Sequence, residues 1–268
     1  MNNYLAAYDL KTAPFNITAD PNFFYQSSTH KEVLATLNFG IRQKKGLVTL
    51  IGEVGTGKTT LCKVFLNRLP KEVATSVIFS YPNFSETQLL KSILTDFGLE
   101  PGRKNRFDLV KGLNSFLVDT SLSGGNALLV IDEAQNLTSK QLEQIRLLSN
   151  LETSQEKLLQ ILLIGQPELK DKLNNFKLRQ IKQRISIRCR LLPLRKDEIK
   201  QYVHYRLQRS GSENLLLEDN CYQIIYQFSK GIPRLINLLC ERVLLLGFIQ
   251  EKNQITASML KVCIEELQ

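Results

Sequence analysis

The sequence predicts an α/β fold: a P-loop domain on a parallel, doubly wound sheet, followed by a small all-helical domain. Three observations lead there. Gly52-Glu53-Val54-Gly55-Thr56-Gly57-Lys58-Thr59 satisfies G-x-x-x-x-G-K-[ST], between an apolar run and a helical pattern. Leu128-Leu129-Val130-Ile131-Asp132-Glu133 is an apolar run ending in two carboxylates. Strand and helix patterns alternate to about residue 192 and give way to helix alone after Pro193. The domain boundaries follow as 1–192 and 193–268.

Residues 1–30 read as a loop with apolar anchors at Phe15 and at Phe23-Phe24-Tyr25. His30 to Gln43 reads as a helix, with Val33, Leu34, Leu37 and Ile41 on one face. Residues 47–51 are a buried strand, followed by the P-loop and its helix. Val77 to Tyr81 is a second strand. Ser85 reads as the N-cap of a helix that stops at Gly98. Phe107 to Leu122 is a helix closed by Gly124-Gly125. A strand at 127–131 carries the acidic pair. Ser139 to Leu151 is a helix, Leu158 to Ile164 a strand, and a basic helix precedes an edge strand at 185–191, whose residues alternate in polarity. The helices beyond are Lys196–Gly211, Glu218–Gly231, Ile232–Gln250 and Thr256–Leu267.

The composition excludes several classes. The chain has 268 residues, 43% of them hydrophobic, enough for a sizeable core. Five scattered cysteines without C-x-x-C, and two distant histidines, argue against a disulfide framework and against zinc. The N-terminus lacks the basic start and apolar stretch of a signal peptide, and no transmembrane segment is expected. The net charge of +9 is concentrated. From Lys170 to Arg190 there are eight basic residues (Lys170, Lys172, Lys177, Arg179, Lys182, Arg184, Arg188 and Arg190) and one acid, Asp171. Such a strip suits nucleic acid, an acidic lipid surface, a neighbouring subunit's nucleotide, or a solvated helix face.

The motifs specify chemistry. A glycine-rich loop before a helix turns backbone N–H groups onto a phosphate. Gly52, Glu53, Val54, Gly55, Thr56, Gly57, Lys58, Thr59 and the next residue, Thr60, are therefore the expected nucleotide-binding positions. Lys58 would reach the β- and γ-phosphates of ATP, and the Thr59 hydroxyl would ligate Mg²⁺. Asp132 would be the second metal residue. Glu133 would orient and polarise the attacking water.

A P-loop domain followed by a helical lid resembles the AAA+ ATPases. That resemblance implies roles for three further residues. Gln166, ending the strand before Pro167, matches the position that reports on the γ-phosphate. Gly231-Ile232-Pro233-Arg234 is similar to the second sensor motif, with Arg234 reaching back to the nucleotide. Arg184, and after it Arg179, matches the arginine finger, which acts on the next subunit's γ-phosphate. Longer stretches (Pro14–Pro21, Asp132–Leu137, Leu147–Thr153 and Ile164–Leu169) resemble the ExeA/GspA family of bacterial secretion ATPases, to which MshM of the MSHA pilus is similar. This implies a homo-oligomeric cytoplasmic ATPase that serves a secretion or type IV pilus machine and reaches the inner membrane through a partner. Family members of the ExeA kind continue into a membrane helix and a periplasmic domain. The chain is expected to be either an MshM-like soluble member or a fragment ending before that helix. The second reading is a DNA-binding transposition regulator of the TnsC/TniB type, which salt-dependent DNA binding would distinguish.

Overall fold

A computed structural model describes residues 3–79, 85–103, 105–212 and 216–267. The first elements are α1 (Asn3–Ala7), α2 (Ser28–Arg42), β1 (Leu47–Gly52), α3 (Lys58–Leu66), β2 (Val73–Phe79), α4 (Glu86–Asp96), α5 (Arg106–Leu122) and β3 (Asn126–Asp132). Next come α6 (Ser139–Leu148), β4 (Leu159–Gly165), α7 (Pro167–Asn174), α8 (Arg179–Arg184) and β5 (Ile185–Leu191). The remainder is α9 (Glu198–Arg209), β6 (Leu216–Leu217), α10 (Asp219–Ser229), α11 (Pro233–Ile249), β7 (Gln254–Ile255) and α12 (Ala257–Leu267). The chain packs as two compact units: Glu32–Gly52 with Phe65–Leu191, and Met1–Lys31 with Glu53–Val64 and Leu192–Gln268.

The first unit holds a five-stranded sheet in the order β2-β3-β4-β1-β5, parallel throughout. Parallel neighbours need crossover connections, and such connections bring helices onto the faces of a sheet. This explains why β3 is a continuous apolar run and β4 is apolar but for Gln160: from Ala127 to Ile131 and from Leu159 to Ile164 every residue is buried. β5 is an edge strand and alternates as expected, with Ile185, Cys189 and Leu191 buried and Ser186, Arg188 and Arg190 exposed. The register pairs Ile51 with Gly165 and Ile131 with Leu163, so the carboxyl ends of β1, β3 and β4 lie along one sheet edge. Ligands bind outside that edge in open α/β sheets.

Helix starts in this unit are set locally. Ser85 and Thr138 each form a capping box, with Gln88 and Gln141 respectively, a device that contributes about 1 kcal/mol. Gly40 of α2 leaves room for Ile187 of β5: a β-carbon there would stand 2.8 Å from the Ile187 Cδ1.

The second unit packs α9 to α12 around Ile199, Val203, Ile225, Leu239, Val243 and Leu260. Tyr8, Leu10 and Phe15 of the N-terminal segment complete the same core. Arg206 of α9, buried, fastens that segment by donating to the carbonyls of Pro14 (2.5 Å) and Asn16 (3.1 Å). All five cysteines are buried free thiols. Among the described residues no helix is long and apolar enough to cross a membrane.

Several elements differ from the sequence reading. Residues 1–30 are not all loop: α1 and a 3-10 turn at Pro21–Phe23 interrupt them. β2 begins at Val73, four residues early, while Ser80 and Tyr81 lie outside the described residues. Its inward Ser76 is polar, and Asp96 receives both the Ser76 hydroxyl and the Val77 N–H. The basic helix is two helices, α7 and α8, parted by a 3-10 turn at Phe176–Leu178. The helical region also contains a short parallel pair, β6 with β7.

Candidate active site

The P-loop leaves β1 at Gly52 and enters α3 at Lys58. Gly55 and Gly57 have φ of +78° and +93°, a region that costs other residues energy. A β-carbon on Gly57 would meet a single neighbour within 4 Å, the His30 Nε2 at 3.8 Å, so the backbone at that point is little crowded. The Lys58 side chain is buried and its ammonium donates to the Glu53 carbonyl at 2.9 Å. The Thr56 hydroxyl donates to the same carbonyl at 2.8 Å. His30 is hydrogen-bonded through Nδ1 to the Ser27 hydroxyl (2.6 Å). Burial lowers its pKa to about 4 against the opposing charge of Glu198, so the imidazole beside the loop is neutral at pH 7.

Arg234 belongs to this cluster. Pro233 opens α11 at its first turn, where a missing N–H costs nothing. The next N–H, that of Arg234, donates to the Gly55 carbonyl at 3.2 Å. A β-carbon on Gly55 would stand 2.7 Å from the Arg234 Cβ and 3.1 Å from the Ile232 Cγ2. The loop glycine and the start of the lid helix are thus in direct contact, with the Arg234 side chain exposed.

The sheet unit brings Asp132, Glu133 and Gln166 together. Asp132 ends β3, is buried, and accepts the Glu133 N–H at 2.8 Å. Glu133 has φ 53° and ψ 37°, left-handed for a residue with a side chain; such strain costs on the order of 1 kcal/mol or more and collects at functional positions. The Glu133 Oε2 accepts from the Gln166 side-chain amide at 3.1 Å. A second amide, the Gln135 Nε2, donates to the same oxygen at 2.6 Å. The sequence reading gave Gln135 no role, because residue type and spacing do not show where an amide points.

Arg184 is exposed at the end of α8, directly before β5, as expected. Arg179, at the start of α8, stacks on the exposed Phe176 ring, 4.5 Å from guanidinium carbon to centroid.

Residues 41–173 match the family model described as "AAA domain". General secretion pathway protein A of Aeromonas hydrophila is 41% identical over 256 residues, which cover 94% of this chain. The chain belongs to the AAA family, in the group of general secretion pathway protein A. The resemblance and the fold class read from the sequence are therefore met. The chain spans about half (46%) of that relative's length. Solved structures share the fold. The Drosophila ORC bound to DNA matches 98% of this chain and 65% of its own, with TM-score 0.71 and 16% identity. The Aeropyrum pernix ORC2 protein matches 90% and 67%, with TM-score 0.66 and 14% identity. RuvB of Thermotoga maritima matches 91% and 70%, with TM-score 0.61 and 19% identity.

Proposed function

We propose that this AAA chain binds ATP with Mg²⁺ and hydrolyses it to drive assembly or remodelling of a bacterial envelope machine, of the type II secretion or type IV (MSHA) pilus kind. The observation that carries the reading is the P-loop with two cations assigned to it: Lys58 at the start of α3, and Arg234 fastened by its own backbone to Gly55. The open backbone over Gly57 fits an anion that needs close approach. A threonine hydroxyl and a carboxylate, Thr59 and Asp132, are the hard oxygen donors that Mg²⁺ takes. When bound, the metal neutralises charge on the phosphates.

In this reading the N–H groups of Gly55 to Thr60 hold the phosphates. Lys58 leaves the Glu53 carbonyl for the β- and γ-phosphates. Glu133 takes a proton from the attacking water, and Gln166 steadies the carboxylate. The machine served rests on the relative's name and on the sequence resemblance; the site residues rest on the motifs, supported by the contacts of Lys58, Arg234, Glu133 and Gln166 above.

Two predictions arise here. Arg234→Ala should weaken ATP binding by about tenfold or more, since a hydrogen bond to a charged group contributes about 1.5–3 kcal/mol. Calorimetry giving an unchanged Kd would remove Arg234 from the site. The second concerns a finger acting between subunits. Arg184 is preferred because Arg179 is already stacked on Phe176. A finger supplied in trans contributes on the order of 10³ or more in rate. Arg184→Ala and Glu133→Gln should each be inactive alone. Mixed, they should regain part of the activity, because some interfaces pair an intact Glu133 with an intact Arg184. A mixture that stays inactive, with co-assembly verified, excludes Arg184.

The exposed basic side chains of α7 to β5 support the second reading, a DNA-binding regulator. Retention on DNA that falls steeply with salt would favour it.

A further inference from the structure

We infer that Gln135 is a positioning residue for ATP hydrolysis: it bridges Glu133 to Gln166 and fixes the direction of the Glu133 carboxylate. The inference rests on the reading of Glu133 as the group that activates water.

Gln135 uses both ends of one amide. Its Nε2 donates to the Glu133 Oε2 at 2.6 Å, and its Oε1 accepts the Gln166 backbone N–H at 3.2 Å. The Gln166 side chain then closes the ring by donating to the same Glu133 oxygen at 3.1 Å. A carboxylate at position 135 could not donate to Glu133, and an apolar side chain could make neither bond. Glutamine is the residue type whose donor and acceptor both find partners here.

Three surrounding features hold the bridge in place. The 3-10 turn Ala134–Asn136 carries Gln135, and the Lys172 ammonium from α7 donates to the carbonyls of both Gln135 and Leu137. Gly165, at the end of β4, leaves the space the amide occupies: a β-carbon there would stand 3.0 Å from the Gln135 Oε1 and 2.8 Å from the Leu169 Cδ2. The left-handed backbone of Glu133 turns its side chain to the side where the two amides meet it.

The consequence is kinetic. With one oxygen held by two donors, the carboxylate keeps a single orientation. Without Gln135, one donor remains and the carboxylate gains rotational freedom. Misplacement of a reacting group by about 1 Å can cost on the order of 10² in rate. Nucleotide affinity should not change, because Gln135 is assigned no contact with the phosphates.

The test is Gln135→Met, which keeps the length and loses both bonds. Single-turnover hydrolysis should slow by about 10- to 100-fold, while the Kd for a non-hydrolysable ATP analogue stays within about twofold. In a Glu133→Gln background the same change should alter residual turnover by less than about twofold, because its route of action is already gone. Gly165→Ala is an independent second variant. It leaves Gln135 in the chain but displaces its amide, and should reproduce the loss in rate at unchanged Kd. Wild-type or faster turnover in Gln135→Met overturns the inference, as does an equal fractional loss on the Glu133→Gln background, which would mark a structural role. The two failures are distinguishable. An active Glu133→Gln protein sinks the reading of Glu133 itself. An inactive Glu133→Gln with a fully active Gln135→Met sinks only the bridge.

Discussion

Glu133→Gln is expected to bind ATP with near wild-type affinity and to lose at least about 10² in turnover, the lower end of what general base catalysis contributes. The amide has the carboxylate's size, so the strained turn after β3 is retained. It cannot take a proton from water. It also reverses the hydrogen-bond logic of the site. Glu133 accepts from two amide donors, Gln135 and Gln166; a glutamine at 133 can still accept through its oxygen, but its own NH₂ then faces outward as a donor. The signature is a protein that holds ATP through size-exclusion chromatography and releases phosphate slower by at least about 10². Unchanged turnover would move the role of base to another residue.

Lys58→Ala is expected to abolish measurable phosphate binding. The ammonium is the charge assigned to the β- and γ-phosphates. Charge-assisted hydrogen bonds contribute about 1.5–3 kcal/mol each, and losing two of them lowers affinity by a factor on the order of 10² to 10⁴. Lys58 is also buried and ties the loop to its own Glu53 carbonyl, so the truncation has a structural side. A thermal melt without nucleotide separates the two effects. A similar apo melting temperature with the ATP-induced rise gone is the expected pair of results. A wild-type calorimetric titration of the variant would overturn the assignment.

The parts legible in the sequence were those with strong local signals. The P-loop needs glycines with positive φ and a lysine opening a helix, and Gly55, Gly57 and Lys58 supply them in sequence. β3 and β4 are buried on both faces, so their runs, apolar but for Gln160, read directly. β5 read correctly because an edge strand alternates. Pro233 after Gly231 placed the start of α11. The early start of β2 was hidden because its inward Ser76 is polar, and only the fold supplies Asp96 as its partner. The break between α7 and α8 was hidden because Phe176, the apolar residue at that turn, is 75% exposed and breaks no polar pattern. The Gln135 bridge is a tertiary feature. It depends on Gly165, thirty residues further along the chain, being small and on Lys172 reaching across from another helix.

The central proposal is that the chain hydrolyses ATP with Mg²⁺ and that Glu133 activates the attacking water. It is tested most directly by phosphate release from ATP by the purified chain, with Mg²⁺ and with the metal chelated, beside Glu133→Gln at matched nucleotide occupancy. The account predicts Mg²⁺-dependent release by the wild type, rising more than proportionally with protein concentration as subunits assemble, and release slower by at least about 10² in the variant. Equal release by wild type and variant, or none from a wild type saturated with ATP and Mg²⁺ in its assembled form, would contradict it.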